Sequence, residues 1–438
     1  MEAFISDFTV LGPLHDIVLT LLILLSFLAV FACRSSSKQR PFFRSNSRGL
    51  SSHSEKTKIK EREWGEWPAV SFSHPPTIPG PSPMELKPIP YRPFRWGAYH
   101  VTMGIRDMPW DEWIELDNQM QSHYHIKKHR IATRGTNVIQ ILPDRPGIVK
   151  SARQSAIELV HELSEYLGKR YPDAFTVTRA SSGNILNIKI VPLRAVDGEE
   201  AEEAMKISAL LVQDDLALMV EGTDGRYYFQ GGAICVAGFW RMRDKIGLPL
   251  EDIHIRGQVP QYETKLRHSM DRFFKRMSVE KPIIRNNYFF QVIPPKEMRI
   301  PLDTITQSSA DPIIENNSIV DPEELAWSET TNGNEETFVH GHPITPDKQP
   351  VVALRRLPLS GAILFTIRTY LFPVEGLAKE PGIPARMASA LRSWPEDVRE
   401  YKGNGLYEKV MLEYLDRAAE KQRMEGGEDY VKEPGYPF

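Results

Sequence analysis

"ALLVQDDLALMVEG" (residues 209–222), "TDG" (223–225) and "RYYFQGGAICVAG" (226–238) decide the fold class. Two extended-looking runs flank an Asp224-Gly225 pair, the dipeptide that suits the positive-φ positions of a tight hairpin. The pattern predicts extended segments from Lys206 to Gly238, paired as antiparallel sheet.

Helical spacing surrounds this core. In "SARQSAIELVHELSEYLGKRYP" (151–172), Ile157, Val160, Leu163 and Leu167 recur on one face and Pro172 supplies a stop. "YETKLRHSMDRFFKRM" (262–277) places Leu266, Met270, Phe273, Phe274 and Met277 at helical intervals, as core residues. "GAILFTIRTYLFP" (361–373) reads as a buried strand, and "NGLYEKVMLEYLDRAAEKQRM" (404–424) as a closing helix that frays into a charged tail, 421–438. The fold class is therefore α+β, an antiparallel sheet with flanking helices.

The 438 residues are 41% hydrophobic, enough for a sizeable core. A net charge of −3, with no basic run interleaved with aromatics, argues against nucleic acid as a partner. Cys33 and Cys235 are the two cysteines, too few for a disulfide framework or a Cys-based zinc site. No Gly-rich dinucleotide fingerprint or P-loop follows any strand; the adjacent glycines of "YFQGGAICV" have the wrong spacing.

"IVLTLLILLSFLAVFAC" (17–33) is free of charge and just long enough to cross a hydrocarbon layer as a helix. Acidic residues precede it and Arg34, Lys38, Arg40, Arg44 and Arg48 follow it. The expectation is an N-terminal transmembrane anchor, 1–34, with the remainder facing the cytosol. The shortness of the run fits a thin bilayer such as the endoplasmic reticulum. A Ser-, Pro- and basic-rich tether is expected over 35–84, a folded domain over 85–420, and a polar excursion within it at about 305–345.

Few residues carry distinctive chemistry. His123, His125 and His129 in "SHYHIKKHR" read as a solvated basic helix face, and His161 as a core or surface histidine. His340 and His342 fall in the polar excursion. Ser360 lacks a nucleophile elbow. Cys235 sits in an apolar strand-like run, where a thiol behaves as a small hydrophobe.

His254 differs. "GLPLEDIHIRGQVP" (247–260) sets one imidazole between Ile253 and Ile255 in what reads as a short extended segment boxed by prolines. Neutral imidazole is a common iron ligand, the isoleucines would furnish a dry wall, and the backbone or Asp252 would hold the other ring nitrogen. From the residues alone, a satisfied core histidine remains the alternative.

Four ordered blocks add to this: "PYRPFRWGAYHVTMGIRDMPWDEWIELD" (90–117), "GGAICVAGFWRMRDKIGLPLEDIHIRGQVP" (231–260), "DRFFKRMSVEKPIIRNNYFF" (271–290) and "LRRLPLSGAILFTIRTYLFPVEGLA" (354–378). Together they resemble the haem-dependent oxidative N-demethylase family, which includes the alpha subunit of bacterial dimethylamine monooxygenase. The resemblance implies a PAS-like haem-binding fold holding haem b, and oxidation of an N-methyl group by O2 with release of formaldehyde. Electrons would come from a separate reductase, since the chain has no nucleotide fingerprint of its own.

It also implies site residues. Trp240, Lys245 and His254 match the family's second block, with His254 as axial iron ligand; Arg285 would meet a haem propionate or bound oxygen, and Arg356 the cofactor. Arg355 and Arg368 match the last block, where pairing within the sheet is the competing account. One departure stands out. "DKQPVVALRRLP" (347–358) has Pro350, Val351 and Val352 where the family carries polar residues. That departure keeps a second reading open, a PAS-like haem sensor or carrier without turnover; a third is a haem-free membrane-anchored scaffold.

Overall fold

The computed structural model describes residues 62–190, 201–237, 240–292, 313–315, 318–320 and 344–426. The apolar run at 17–33, most of the polar excursion with His340 and His342, and the residues after 426 lie outside them. Among the described residues, no helix is long and apolar enough to cross a membrane.

Strands β5 (Asp215–Glu221) and β6 (Tyr227–Ala233) form the expected hairpin. Gly225 sits at φ 76°, and Asp224 Oδ1 accepts the Arg226 backbone N–H at 2.9 Å, closing the turn. Around this hairpin an eight-stranded antiparallel sheet is built. It also takes in β1 (Ile105–Asp107), β2 (Ile139–Ile141), β7 (Ile283–Asn286), β11 (Ile344–Arg356) and β12 (Ile363–Phe372). The order is β1-β7-β11-β12-β5-β6-β2, and β8 (Phe289–Val292) pairs with the start of β11; β3 (Phe175–Arg179) with β4 (Ile185–Ile190), and β9 (Ile313–Glu315) with β10 (Ser318–Val320), form separate two-stranded sheets. The α+β class and the antiparallel sheet with helices are as the sequence indicates.

Two expectations about extended structure change. Residues 201–211, part of which reads as strand, form a helix, α3 (Ala201–Leu211), following α1 (Met120–Arg134) and α2 (Arg153–Arg170). Strong helix formers dominate that stretch, and it packs against α2, burying Met205, Ile207 and Leu211. The segment around His254 is a helix as well, α4 (Leu250–Arg256). Pro249 takes the N-cap position, where its missing N–H costs nothing, and Glu251 and Asp252 fall in the first turn. On a helix, residues two apart diverge. Ile253 therefore faces inward while Ile255 is 41% exposed, so the two do not form a common wall.

Strand alternation sorts the sheet into two faces. Leu216, Leu218, Ile284, Ala353 and Leu364 pack with α2 and α3 in one core. Ala217, Met219, Ile283, Leu354 and Ile363 pack on the opposite face with Tyr262, Met270 and Phe274 from residues 262–276. At about 25 cal/mol per Å2 of apolar area, each fully buried large aliphatic side chain stabilises the fold by about 1.5–3 kcal/mol.

Residues 62–83, expected as the end of the tether, are fastened to the sheet; residues 35–61 lie outside the described residues. Trp67 donates its indole N–H to the Pro358 carbonyl at 3.0 Å, and Arg62 pairs with Glu221 through Nη2 at 2.8 Å. A Cβ at Gly361, whose φ is +69°, would meet the Trp67 ring at 2.2 Å, so this turn admits the indole only as glycine.

Candidate functional site

Helix α4 fixes the orientation of His254. Its Nδ1 lies 2.7 Å from the Leu250 carbonyl four residues back, so Nδ1 carries the proton and Nε2 the lone pair. The ring stacks on Tyr262, centroids 4.8 Å apart and planes 12° from parallel. By surface area the residue is half-buried, and the surface it leaves open borders two cavities. Burial pushes the imidazole pKa down to about 4 against the Leu250 hydrogen bond, with the Arg285 and Lys245 cations adding to the fall. It is neutral at physiological pH.

Behind α4 the backbone is strained. Gln258 and Gln261 adopt left-handed φ values of 51° and 55°, and a π-turn (Tyr262–Leu266) follows. Such conformations in non-glycine residues cost about 1–3 kcal/mol each and gather at functional sites. Here they bring Val259 and Pro260 to the cavity walls, while Gln261 donates to Asp397 at 2.9 Å.

His254 borders two cavities. The larger, about 730 Å3, is lined by Phe229, Ile253, Phe365 and Ile367, and by the polar or charged groups of Trp240, Lys245, Asp397 and Glu400. Its size lies within the roughly 300–1,000 Å3 usual for cofactor and ligand sites. Lys245 Nζ stands 5.6 Å from the Trp240 ring centroid, and burial lowers its pKa against the pull of Asp244.

The smaller cavity, about 280 Å3, lies against the sheet and contains Arg285. Alternation along β7 turns Ile284 to the α2 side and Arg285 to the cavity. The residues paired with Arg285 across the strands are Ile105 and Val352. Val352, one of the positions where the sequence departs from the family pattern, therefore stands beside the buried guanidinium. Burial lowers the Arg285 pKa, and the Tyr401 and Tyr99 phenols oppose that shift.

Four of the five expected residues thus line these two cavities: His254 and Trp240 border both, Lys245 the larger and Arg285 the smaller. Arg356 does not. Its guanidinium donates to the Met277 and Gly361 carbonyls, each at 2.7 Å, to the Tyr227 hydroxyl at 2.9 Å and to the Phe274 carbonyl, and it lies under Trp67 at 4.6 Å. It braces the sheet to residues 62–83, with four of its five donors used. Arg355 pairs with Glu162, and Arg368 with Asp117 at 2.8 Å, both on the sheet face away from the cavities.

Other sequence candidates resolve as structure. The "SHYHIKKHR" helix is a solvated basic face only in part: His125 and His129 are half-buried and Lys128 is exposed, whereas His123, Lys127 and Arg130 are buried. Lys127 donates to the Ala209 and Val212 carbonyls at 3.1 and 3.0 Å, and Arg130 to the Cys235 carbonyl at 2.7 Å. Cys235 follows β6 in a fully buried turn, its thiol pushed up to about 12 by burial, with Asp215 adding to the rise. It is inert and away from the cavities. His161 is half-buried beside Arg179 at 3.4 Å.

Sequence reading missed Tyr99, Tyr401, Phe365 and Ile367. The last two carry a signal, since they alternate with Thr366 and Arg368 along a buried strand. The tyrosines carry none, because the tertiary fold alone brings them to Arg285.

A sequence profile described as haem-dependent oxidative N-demethylase, alpha subunit-like, matches residues 104–412, well over half the chain. The chain belongs to that family. The match takes in α4 with His254, strand β7 with Arg285 and the helix Glu396–Tyr401, so most of the lining of both cavities falls within the matched region; Tyr99, Val101, Thr102 and Met103 lie just before it. The side chains suit the haem that the family's name implies. A neutral imidazole presents Nε2 to a space walled by aromatic and aliphatic groups, and Lys245 supplies a cation for an acidic edge.

Proposed function

We propose that this protein is a haem-dependent oxidative N-demethylase whose iron is held by His254 Nε2. The observation that carries the reading is the tautomer: Nδ1–H bound to the Leu250 carbonyl at 2.7 Å, with Nε2 left to the cavities. The sheet and the helices over its cavity face then form a PAS-like cradle for haem b. When bound, the haem supplies O2 activation and accepts electrons from outside the chain.

The chain's own residues perform the remaining tasks. Leu250 and Tyr262 hold the imidazole ring in one plane. Phe229, Phe365 and Ile367 exclude water from one side of the larger cavity. Lys245 neutralises a propionate, and Arg285 keeps a fixed cation in the inner cavity. Overall, one N-methyl carbon is oxidised by O2 with two electrons and two protons. This yields a hemiaminal and water, and the hemiaminal releases formaldehyde and the demethylated amine. The electrons imply a partner subunit or reductase. The run at 17–33 is read as the anchor that holds this domain on the cytosolic side of a membrane.

Adding haem to the purified full chain tests the first step, the expected result being a stoichiometric Soret band. Formaldehyde release with a reductase and N-methylated substrates tests the second. A Soret band without formaldehyde across a broad substrate panel would favour a haem sensor, and no band at all would remove both readings.

A further inference from the structure

The smaller cavity holds a charge that ligation by His254 does not use. Arg285 is half-buried by surface area, its open surface lining this cavity, and no hydrogen bond or ion pair to its guanidinium is present among the described residues. Its cross-strand neighbours Ile105 and Val352 are apolar, so the sheet offers no counter-ion. Among the described residues that line this cavity none is an aspartate or glutamate. Lys402, the second cation there, is tied to the Tyr288 carbonyl and to Asn287 Oδ1 at 3.2 Å.

Two phenols share the space. Burial raises the pKa of Tyr99 and Tyr401, the latter to about 12, so both stay protonated and can donate. Arg285 and these hydroxyls are close enough to shift one another's proton affinity. The inner cavity is thus a set of donors around one fixed positive charge. A desolvated guanidinium without a counter-ion is unfavourable, and an anionic group brought by the occupant relieves it. A simple methylammonium ion brings a like charge instead. Asp397 and Glu400 border the larger cavity but are exposed, where ion pairs are weak, and Asp397 already accepts from Gln261.

We propose that the smaller cavity receives an N-methylated substrate carrying its own carboxylate, of the N-methyl amino acid class, and that Arg285 binds that carboxylate. The proposal rests on the N-demethylase reading for the reacting end of the substrate. A guanidinium and a carboxylate pair through two parallel hydrogen bonds, which fixes orientation as well as charge. The volume of about 280 Å3 limits the substrate to a short side chain. A haem propionate offers the same group, so the test must separate the two sources.

Isothermal titration of the full chain without haem, using matched pairs, does so. N-methylglycine is compared with dimethylamine and N-methylalanine with N-methylethylamine, each pair differing by the carboxylate alone. The carboxylate-bearing member should bind at least tenfold tighter. Arg285→Gln should erase that preference and Arg285→Lys keep part of it. Val352→Glu, which sets a carboxylate across the strands from Arg285, should reverse it. Equal or tighter binding of the amines overturns the proposal, as does no binding by either pair. So does an Arg285→Gln variant that binds N-methylglycine normally but retains haem poorly, which assigns Arg285 to a propionate. A missing Soret band with the amino acid preference intact defeats the haem reading and leaves this one standing.

Discussion

His123 and His254 are the same device used to opposite ends. Each lies in a helix with Nδ1 on the carbonyl four residues back, Gln119 at 3.1 Å and Leu250 at 2.7 Å. Burial holds each imidazole neutral, with pKa values of about 3 and about 4. They differ at Nε2. For His123 it accepts from Arg368 at 2.9 Å, and Arg368 also pairs with Asp117 on a buried face of the sheet. For His254 it faces the cavities. A lone pair already satisfied by a guanidinium makes a structural residue; one left to a cavity makes a candidate ligand.

Exchanging the two histidines for alanine puts most strain on this comparison. His254→Ala should lose the Soret band completely, and His123→Ala should keep it in whatever fraction folds; visible spectra of haem-loaded protein decide, and the reverse pattern would break the contrast outright. Next in size is Arg368→Leu, which strands Asp117 without its partner. Denaturant titration should show a loss of about 3–5 kcal/mol, as for other broken buried ion pairs, with the haem spectrum of the folded protein unchanged.

The pH dependence sharpens the contrast further. The folded pKa of His123, about 3, lies below its ordinary 6.5, so the unfolded chain takes up the proton first as pH falls. Stability tied to this residue is present above pH 6.5 and is lost progressively toward pH 3. His123→Gln should flatten that part of the stability–pH curve, read by thermal melts across the range. The smallest effect is expected at Lys245. Replacing it with Met removes one charge-assisted contact worth roughly 1.4 kcal/mol, so haem retention should weaken about tenfold in competition with a haem scavenger.

Much of the scaffold was legible because its signals are local. The Asp224-Gly225 turn, the apolar stripe from Ile157 to Leu167 and the strand at 363–372 each report their state through neighbours a few positions away. The segment around His254 misled because paired isoleucines with nearby prolines fit a strand as well as a helix begun by Pro249. Residues 62–83 misled for another reason. Their composition is that of a linker, and what orders them is contact with Pro358, Glu221 and Gly361, far away in sequence.

The site divides along the same line. By itself the sequence determined the fold class and, through ordered blocks, that His254, Arg285, Trp240 and Lys245 belong together. Tertiary structure alone decided that Arg356 is a brace, that Tyr99 and Tyr401 meet Arg285, and that Val352 leaves that arginine without a counter-ion. The physical reason is that periodicity encodes which face a side chain takes, whereas hydrogen-bond partners and enclosing charge come from strands and helices that only folding brings into contact.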